Sequence, residues 1–177
     1  MLSKWIVDGY STMLQEIDKQ VWEIAAKPAD LVVFPVGVGS LAQAVITHYK
    51  NTTRLTALLA VEADTAACLL ASLEKGAIKS VSTGDTIMCG LNCGTVSSTA
   101  WPMLRDGIDA ATTVTDLESH HAVRHLQSLG INVGPCGAAP LAALKKVRGA
   151  GLDINDGSVV VLLCTEGSRD FVNPKES

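Results

Sequence analysis

The 177-residue chain lacks any apolar stretch that reaches the roughly 18–20 residues a membrane-spanning helix needs. Charged or polar residues interrupt each run first. Met1 to Tyr10 shows neither an apolar leader core nor a small-residue cleavage pattern, so cytoplasmic residence is the default expectation. Basic residues are few. Lys and Arg number 14 against 18 Asp and Glu, the net charge is −4, and the isoelectric point is about 5.5. With no basic run, the usual electrostatic footprint of a nucleic-acid-binding domain is missing. Aromatic residues make up only 4%, and Trp5, Trp22 and Trp101 are scattered, which reads as packing and not as a base-stacking platform. The five cysteines are odd in number and include no C-x-x-C pair. Cys89 and Cys93 are the only close two, so a zinc site is not expected, and free thiols buried as small hydrophobes are.

What is abundant is apolar. Hydrophobic residues make up 47%, charged residues 18%, and the mean hydropathy is +0.28. That excludes a disordered chain. It is also unusually apolar for a globular domain of this size. The expectation is that something outside this sequence covers part of the surface.

Helical and strand patterns alternate along the chain. Tyr10, Leu14, Ile17, Val21 and Ile24 recur at helical spacing, with Thr12 and Gln15 as a candidate capping box and Lys27-Pro28 as a stop. Leu31–Val36 is wholly apolar, as expected of a strand buried on both faces. Helices are expected over Leu41–His48, Thr65–Leu73, Ser97–Leu104, from a cap at Asp116 to Leu129, and over Gly137–Val147. Further strands are expected over Leu55–Val61, Ala111–Val114 and Ser158–Cys164, and loop over 76–96. Strands without polar alternation, separated by helices, predict an α/β fold with an open parallel sheet and helices on both faces. A first element that is helical fits a piece of a longer domain.

Pro35-Val36-Gly37-Val38-Gly39-Ser40-Leu41 joins a buried strand to a helix. Glycines let the backbone approach an anion closely, and the free N–H groups of the following helix favour negative charge. Ser40 adds a hydroxyl. A tight βα turn without a ligand is the plain alternative. The same residues support a rival. Gly37-x-Gly39-x-x-Ala42 fits a dinucleotide fingerprint, and Glu62 lies twenty residues after Ala42, where a ribose-binding acid belongs.

Longer motifs resemble one family. Gly9-Tyr10-Ser11-Thr12-Met13, the Gly37–Ser40 loop, Val61-Glu62-Ala63-Asp64, and above all Thr86-Ile87-Met88-Cys89-Gly90-Leu91-Asn92-Cys93-Gly94 are similar to segments of diaminopropionate ammonia-lyases. Trp101, Leu104-Arg105, Gly137-Ala138 and Thr165-Glu166-Gly167 match in order as well. The resemblance covers 1–177 as the C-terminal portion of a tryptophan-synthase-β-like, fold type II enzyme.

It implies pyridoxal 5'-phosphate as cofactor and β-elimination of 2,3-diaminopropionate to pyruvate and ammonia, with another lyase or dehydratase of the same fold as alternative. It implies that Gly37, Val38, Gly39 and Ser40 hold the cofactor phosphate and that Thr165 lies near the pyridine nitrogen. Glu62, Met88, Cys89 and Gly90 would line or support the site. It further implies an amino-acid substrate, no membrane or nucleic-acid partner, and a homodimeric full-length enzyme.

The family's Schiff-base lysine has no counterpart here. The nine lysines read as surface charges, so no catalytic residue is expected in this chain and the isolated chain is expected to be inactive. Pro135 stands where many ammonia-lyases carry an acid, and is expected to shape the entry to the next helix. His121 and His125 sit four apart on one helix without a third ligand, so no metal is expected.

Overall fold

All five residues of β1 (Leu31–Pro35) and six of the seven of β2 (Ala57–Ala63) are buried. In these strands alternate side chains enter different cores, as the period of two requires. Val32, Phe34, Leu58 and Ala60 point to one cluster. Leu31, Val33, Leu59 and Val61 point to the other. The strands are therefore sandwiched, which is why they read as apolar runs without alternation.

The computed structural model describes residues 2–51, 55–149 and 154–175. β3 (Ala110–Val114) and β4 (Val160–Leu162) complete a parallel sheet in the order β3-β2-β1-β4. The first core packs under α1 (Leu2–Ala25), α2 (Ser40–Lys50), α3 (Cys68–Lys75) and α4 (Trp101–Gly107). The second packs under α5 (Asp116–Ser128) and α6 (Pro135–Gly149). Helices thus cover both faces.

Several boundaries differ from the sequence expectation, each for a local reason. α1 runs unbroken from Leu2, so Thr12 and Gln15 lie inside it and form no capping box. It ends before Ala26, which takes a left-handed φ of 52° ahead of Lys27-Pro28. The cap of α5 is Thr115, not Asp116. Its hydroxyl accepts the Glu118 N–H at 3.1 Å, and the Glu118 carboxylate accepts the Thr115 N–H at 2.7 Å. Asp116 is free for another task. It accepts the Thr86 hydroxyl at 2.5 Å and the Ile87 N–H at 3.0 Å, pinning the glycine-rich loop to α5. Pro135 is the first residue of α6, where its missing N–H costs nothing. β4 is only three residues long.

The tryptophan and cysteine expectations need correction. Trp5 and Trp22 are 69% and 58% exposed, and only Trp101 packs against the core. Cys68 and Cys136 are buried, whereas Cys89 and Cys164 are exposed. Among the described residues, no helix is long and apolar enough to cross a membrane, and no group of three His, Cys, Asp or Glu side chains could hold a metal.

Candidate functional site

The chain leaves β1 for α2 over one face, while β3 reaches β4 through α5 and α6 over the other. The segment after β4 also turns to that second face, where Gly167 bridges Val133 and Phe171 packs on the second core, so the neighbours β1 and β4 send their following segments apart. Between their carboxyl ends lies the crevice where open parallel sheets bind ligands. A cavity of about 270 Å³ opens there. Pro35 to Ala42 line it from β1 and α2, Thr165 from the turn after β4, Gly90 from the glycine-rich loop, and Ile6 and Tyr10 from α1.

Two glycines make the cradle possible. A Cβ on Gly37 would sit 2.9 Å from the Gly90 carbonyl oxygen and 3.3 Å from Cys93 Sγ, so no larger residue fits. Gly39 has φ 103°, and a Cβ there would meet Leu104 Cδ1 at 2.9 Å. The loop is braced at both ends. The Val36 N–H donates to the Val61 carbonyl at 2.8 Å, and the Val38 carbonyl accepts the Ser97 N–H at 2.9 Å. Gly39 is the cap of α2, and no side chain caps that helix. Its first-turn N–H groups therefore face the cavity mouth without an internal acceptor. No carboxylate among the described residues lines the cavity, so nothing repels an anion from the helix terminus. These features fit a phosphate-bearing group: close backbone, uncapped helix, hydroxyls at Ser40 and Thr165, and no acid.

Of the residues singled out from sequence, Gly37, Val38, Gly39, Ser40, Gly90 and Thr165 come together here. The others do not. Met88 is fully buried and packs into the second core. Cys89 is exposed and faces a different cavity, with Arg169 Nη2 at 3.4 Å from its sulfur. Glu62 is 1% exposed. Its two carboxylate oxygens accept the N–H groups of Leu69 at 2.7 Å and Leu70 at 2.8 Å, so it serves as a cap for α3. Burial pushes its carboxyl above the ordinary range, against the lowering effect of those N–H groups. Both oxygens are committed, which removes the acid that a dinucleotide reading needs for a ribose. Ile6 and Tyr10 were missed as lining residues. The helical spacing that placed Tyr10 in the core was sound, but spacing does not show that the same helix crosses the mouth of the β1 turn.

Among the described residues, no lysine lines the cavity. Lys27 pairs with Asp30 at 2.8 Å, Lys50 with Asp109 at 2.7 Å, and Lys146 donates to the Thr113 carbonyl at 2.8 Å. The Lys4 side chain lies outside the described residues.

A family model described as pyridoxal-phosphate dependent enzyme matches residues 2–166. The diaminopropionate ammonia-lyase of Escherichia coli (strain K12) is 31% identical over 192 residues, covering 97% of this chain and 47% of the relative. The biosynthetic L-threonine dehydratase of Mycobacterium leprae (strain TN) is 31% identical over 170 residues, covering 94% of this chain and 38% of the relative. The crystal structure of a threonine deaminase from T.th. superposes with a TM-score of 0.83 at 30% identity, over 94% of this chain and 59% of that one. The chain spans about half the length, or less, of the curated relatives it matches.

Proposed function

This chain belongs to the family of pyridoxal-phosphate dependent enzymes, of fold type II, and we propose that it forms the cofactor-phosphate-holding portion of an amino-acid lyase of the diaminopropionate ammonia-lyase type. The observation that carries the reading is the cradle: a Cβ at Gly37 would press on the Gly90 carbonyl, Gly39 holds a left-handed φ that strains any other residue, and the uncapped N-terminus of α2 opens on a cavity that no carboxylate among the described residues lines.

In this reading the main-chain N–H groups of the Gly37–Ser40 turn and the Ser40 hydroxyl hold the phosphate, and the α2 dipole favours its charge. Thr165 would supply a neutral hydroxyl near the pyridine nitrogen, one that would not hold a proton there as a carboxylate would. Tyr10 and Ile6 line the cavity from α1. When bound, pyridoxal phosphate supplies an electron sink for removal of a substrate Cα proton; the protein supplies binding and orientation. The covalently anchoring lysine, and with it the elimination itself, is assigned to sequence outside these residues. The substrate assignment, 2,3-diaminopropionate giving pyruvate and ammonia, rests on the ordered motif matches and on the Escherichia coli relative. Dehydration of a hydroxy amino acid is the second reading. The threonine dehydratase and threonine deaminase similarities favour it. Both are β-eliminations and make the same demand on the cradle.

The test is titration of the 177-residue chain with pyridoxal phosphate, followed by absorbance and by competition with inorganic phosphate. Saturable binding displaced by phosphate is the expected outcome, with no ammonia released from either substrate. Absence of saturable binding, or indifference to phosphate, would remove the assignment of the turn.

A further inference from the structure

Apart from the cradle, α5 and the segment after β4 enclose a cavity of about 350 Å³. From α5 it is lined by His120, Val123, Arg124 and Gln127, which are three and four residues apart and so share one helix face. Arg169, Asp170 and Phe171 line it from the other side. Val123 is buried and Phe171 packs on the second core, which gives the cavity an apolar wall. The Phe171 and His120 rings meet edge to face, with centroids 5.8 Å apart, so the two sides are joined.

The polar groups on these walls are not all matched within the chain. Arg169 is committed to Glu166 at 2.8 Å and to the Ile87 carbonyl. The Arg124 guanidinium makes no hydrogen bond or ion pair with any described residue, and neither does the Asp170 carboxylate. They line one cavity and do not reach each other. Nδ1 of His120 is buried and has no hydrogen-bond partner among the described residues. A guanidinium in this position has a defined preference. Its fork of N–H donors matches the two oxygens of a carboxylate. The Gln127 amide adds a donor beside it, and Val123 and Phe171 offer contact to an apolar body. The volume is at the lower end of ligand cavities, so the ligand is small. The cradle has a different chemistry: it offers main-chain N–H groups and hydroxyls, and no arginine among the described residues lines it.

We propose that this cavity is a second small-molecule site, one that binds a small organic carboxylate with its charge on Arg124 and its apolar body against Val123 and Phe171. Asp170 is the acceptor for an ammonium group where the ligand is an amino acid. The site adjoins the cradle through one residue, because Arg169 on its wall holds Glu166, the neighbour of Thr165. The inference does not rest on the reading of the cofactor.

The test is calorimetric titration of the 177-residue chain with probes that share one apolar body: 3-phenylpropanoate, L-phenylalanine and 2-phenylethylamine. The expected result is one-to-one binding of both carboxylates and none of the amine. Tighter binding of L-phenylalanine assigns an amino acid held through Asp170, and tighter binding of 3-phenylpropanoate assigns a simple acid. Arg124→Gln removes the anchoring charge and Gln127→Glu sets a carboxylate beside it, both at exposed positions. Each should weaken the carboxylates at least about tenfold, the loss of one charge-assisted contact. Arg105→Gln, at an exposed arginine that pairs with Asp106 and does not line the cavity, should leave the affinity unchanged. No saturable binding of either carboxylate, or equal binding of the amine, would overturn the proposal. So would carboxylate binding indifferent to Arg124→Gln and Gln127→Glu, which is how a probe seated in the cradle would behave. Pyridoxal phosphate titration of the same variants reads the cofactor assignment separately.

Discussion

The Glu166 carboxylate accepts the main-chain N–H of Cys136 at 2.7 Å, tying the turn after β4 to the first turn of α6. Gly134 and Gly137 permit the approach, since a Cβ on either would meet Glu166 atoms at 2.5 and 2.6 Å. The other carboxylate oxygen accepts Arg169 Nε at 2.8 Å, and Arg169 Nη2 donates to the Ile87 carbonyl. One ion pair thus joins the Thr165 turn, α6 and the loop that carries Gly90. Arg169→Met should lower unfolding free energy by about 1.5–3 kcal/mol, the usual range for hydrogen bonds to charged groups. Urea unfolding by circular dichroism measures this. A midpoint equal to the parent's would show that the three segments hold together without the pair.

Glu62 gives a pH dependence of known sign. Burial raises its folded pKa above the ordinary 4.5, with the Leu69 and Leu70 N–H groups opposing. For an acid with a raised folded pKa, the contribution to stability is full below the unfolded value and is lost as pH rises through the folded one. The parent chain should therefore lose stability as pH climbs above 4.5, and Glu62→Gln should flatten that segment. The variant also replaces one acceptor by an amide donor facing the α3 terminus, at a cost of about 1 kcal/mol. Urea midpoints across the acidic range decide it. Equal slopes in the two proteins would contradict the assignment.

The cysteines should separate by reactivity. Burial, then the Glu62 charge, pushes the Cys68 thiol up to about 12. Burial, then Glu166, pushes Cys136 up to about 11. Cys89 is exposed with Arg169 beside it. Titration with an aromatic disulfide at mildly alkaline pH should modify Cys89 in the first phase and leave Cys68 and Cys136 until unfolding, with rates differing by about a hundredfold or more. Mass mapping of the early product checks this. Label on Cys68 in the folded chain would refute it.

Much of this was legible in the sequence, for physical reasons. Leu31–Val36 announced a strand buried on both faces because every residue from Leu31 to Pro35 is buried, with Leu31 to Phe34 alternating between the two cores. The Gly37–Ser40 turn announced close backbone, and φ 103° at Gly39 with contacts below 3 Å at two glycines is the reason. What sequence could not show was direction. Glu62 stands at the end of a strand, where a ribose-binding acid would stand, yet it turns to the α3 amides seven and eight residues on. Met88 and Cys89 belong to the most specific motif, but a short 3-10 turn over Cys89–Leu91 buries one, exposes the other away from the cavity, and gives only Gly90 to the site. Trp5 and Trp22 looked like core because large aromatics are costly to expose; on α1 they face outward.

Gly39→Asp tests the cradle but confounds two effects, since the left-handed φ alone costs any other residue about 1–2 kcal/mol. Ser40→Asp separates them. Ser40 is the first residue of α2, at the positive end of the helix dipole, and no side chain caps that end. A carboxylate there should stabilise the folded chain by about 0.3–1 kcal/mol. The same charge occupies the place assigned to the cofactor phosphate, removes a hydroxyl donor and repels the anion. Ser40→Asp should therefore melt at or above the parent's temperature while binding pyridoxal phosphate at least about tenfold more weakly, a loss of roughly 1.4 kcal/mol in binding. Opposite signs in stability and affinity are what an anion site at a helix terminus demands. If affinity were unchanged while stability rose, the turn would be an ordinary strand-to-helix connection and the phosphate would lie elsewhere.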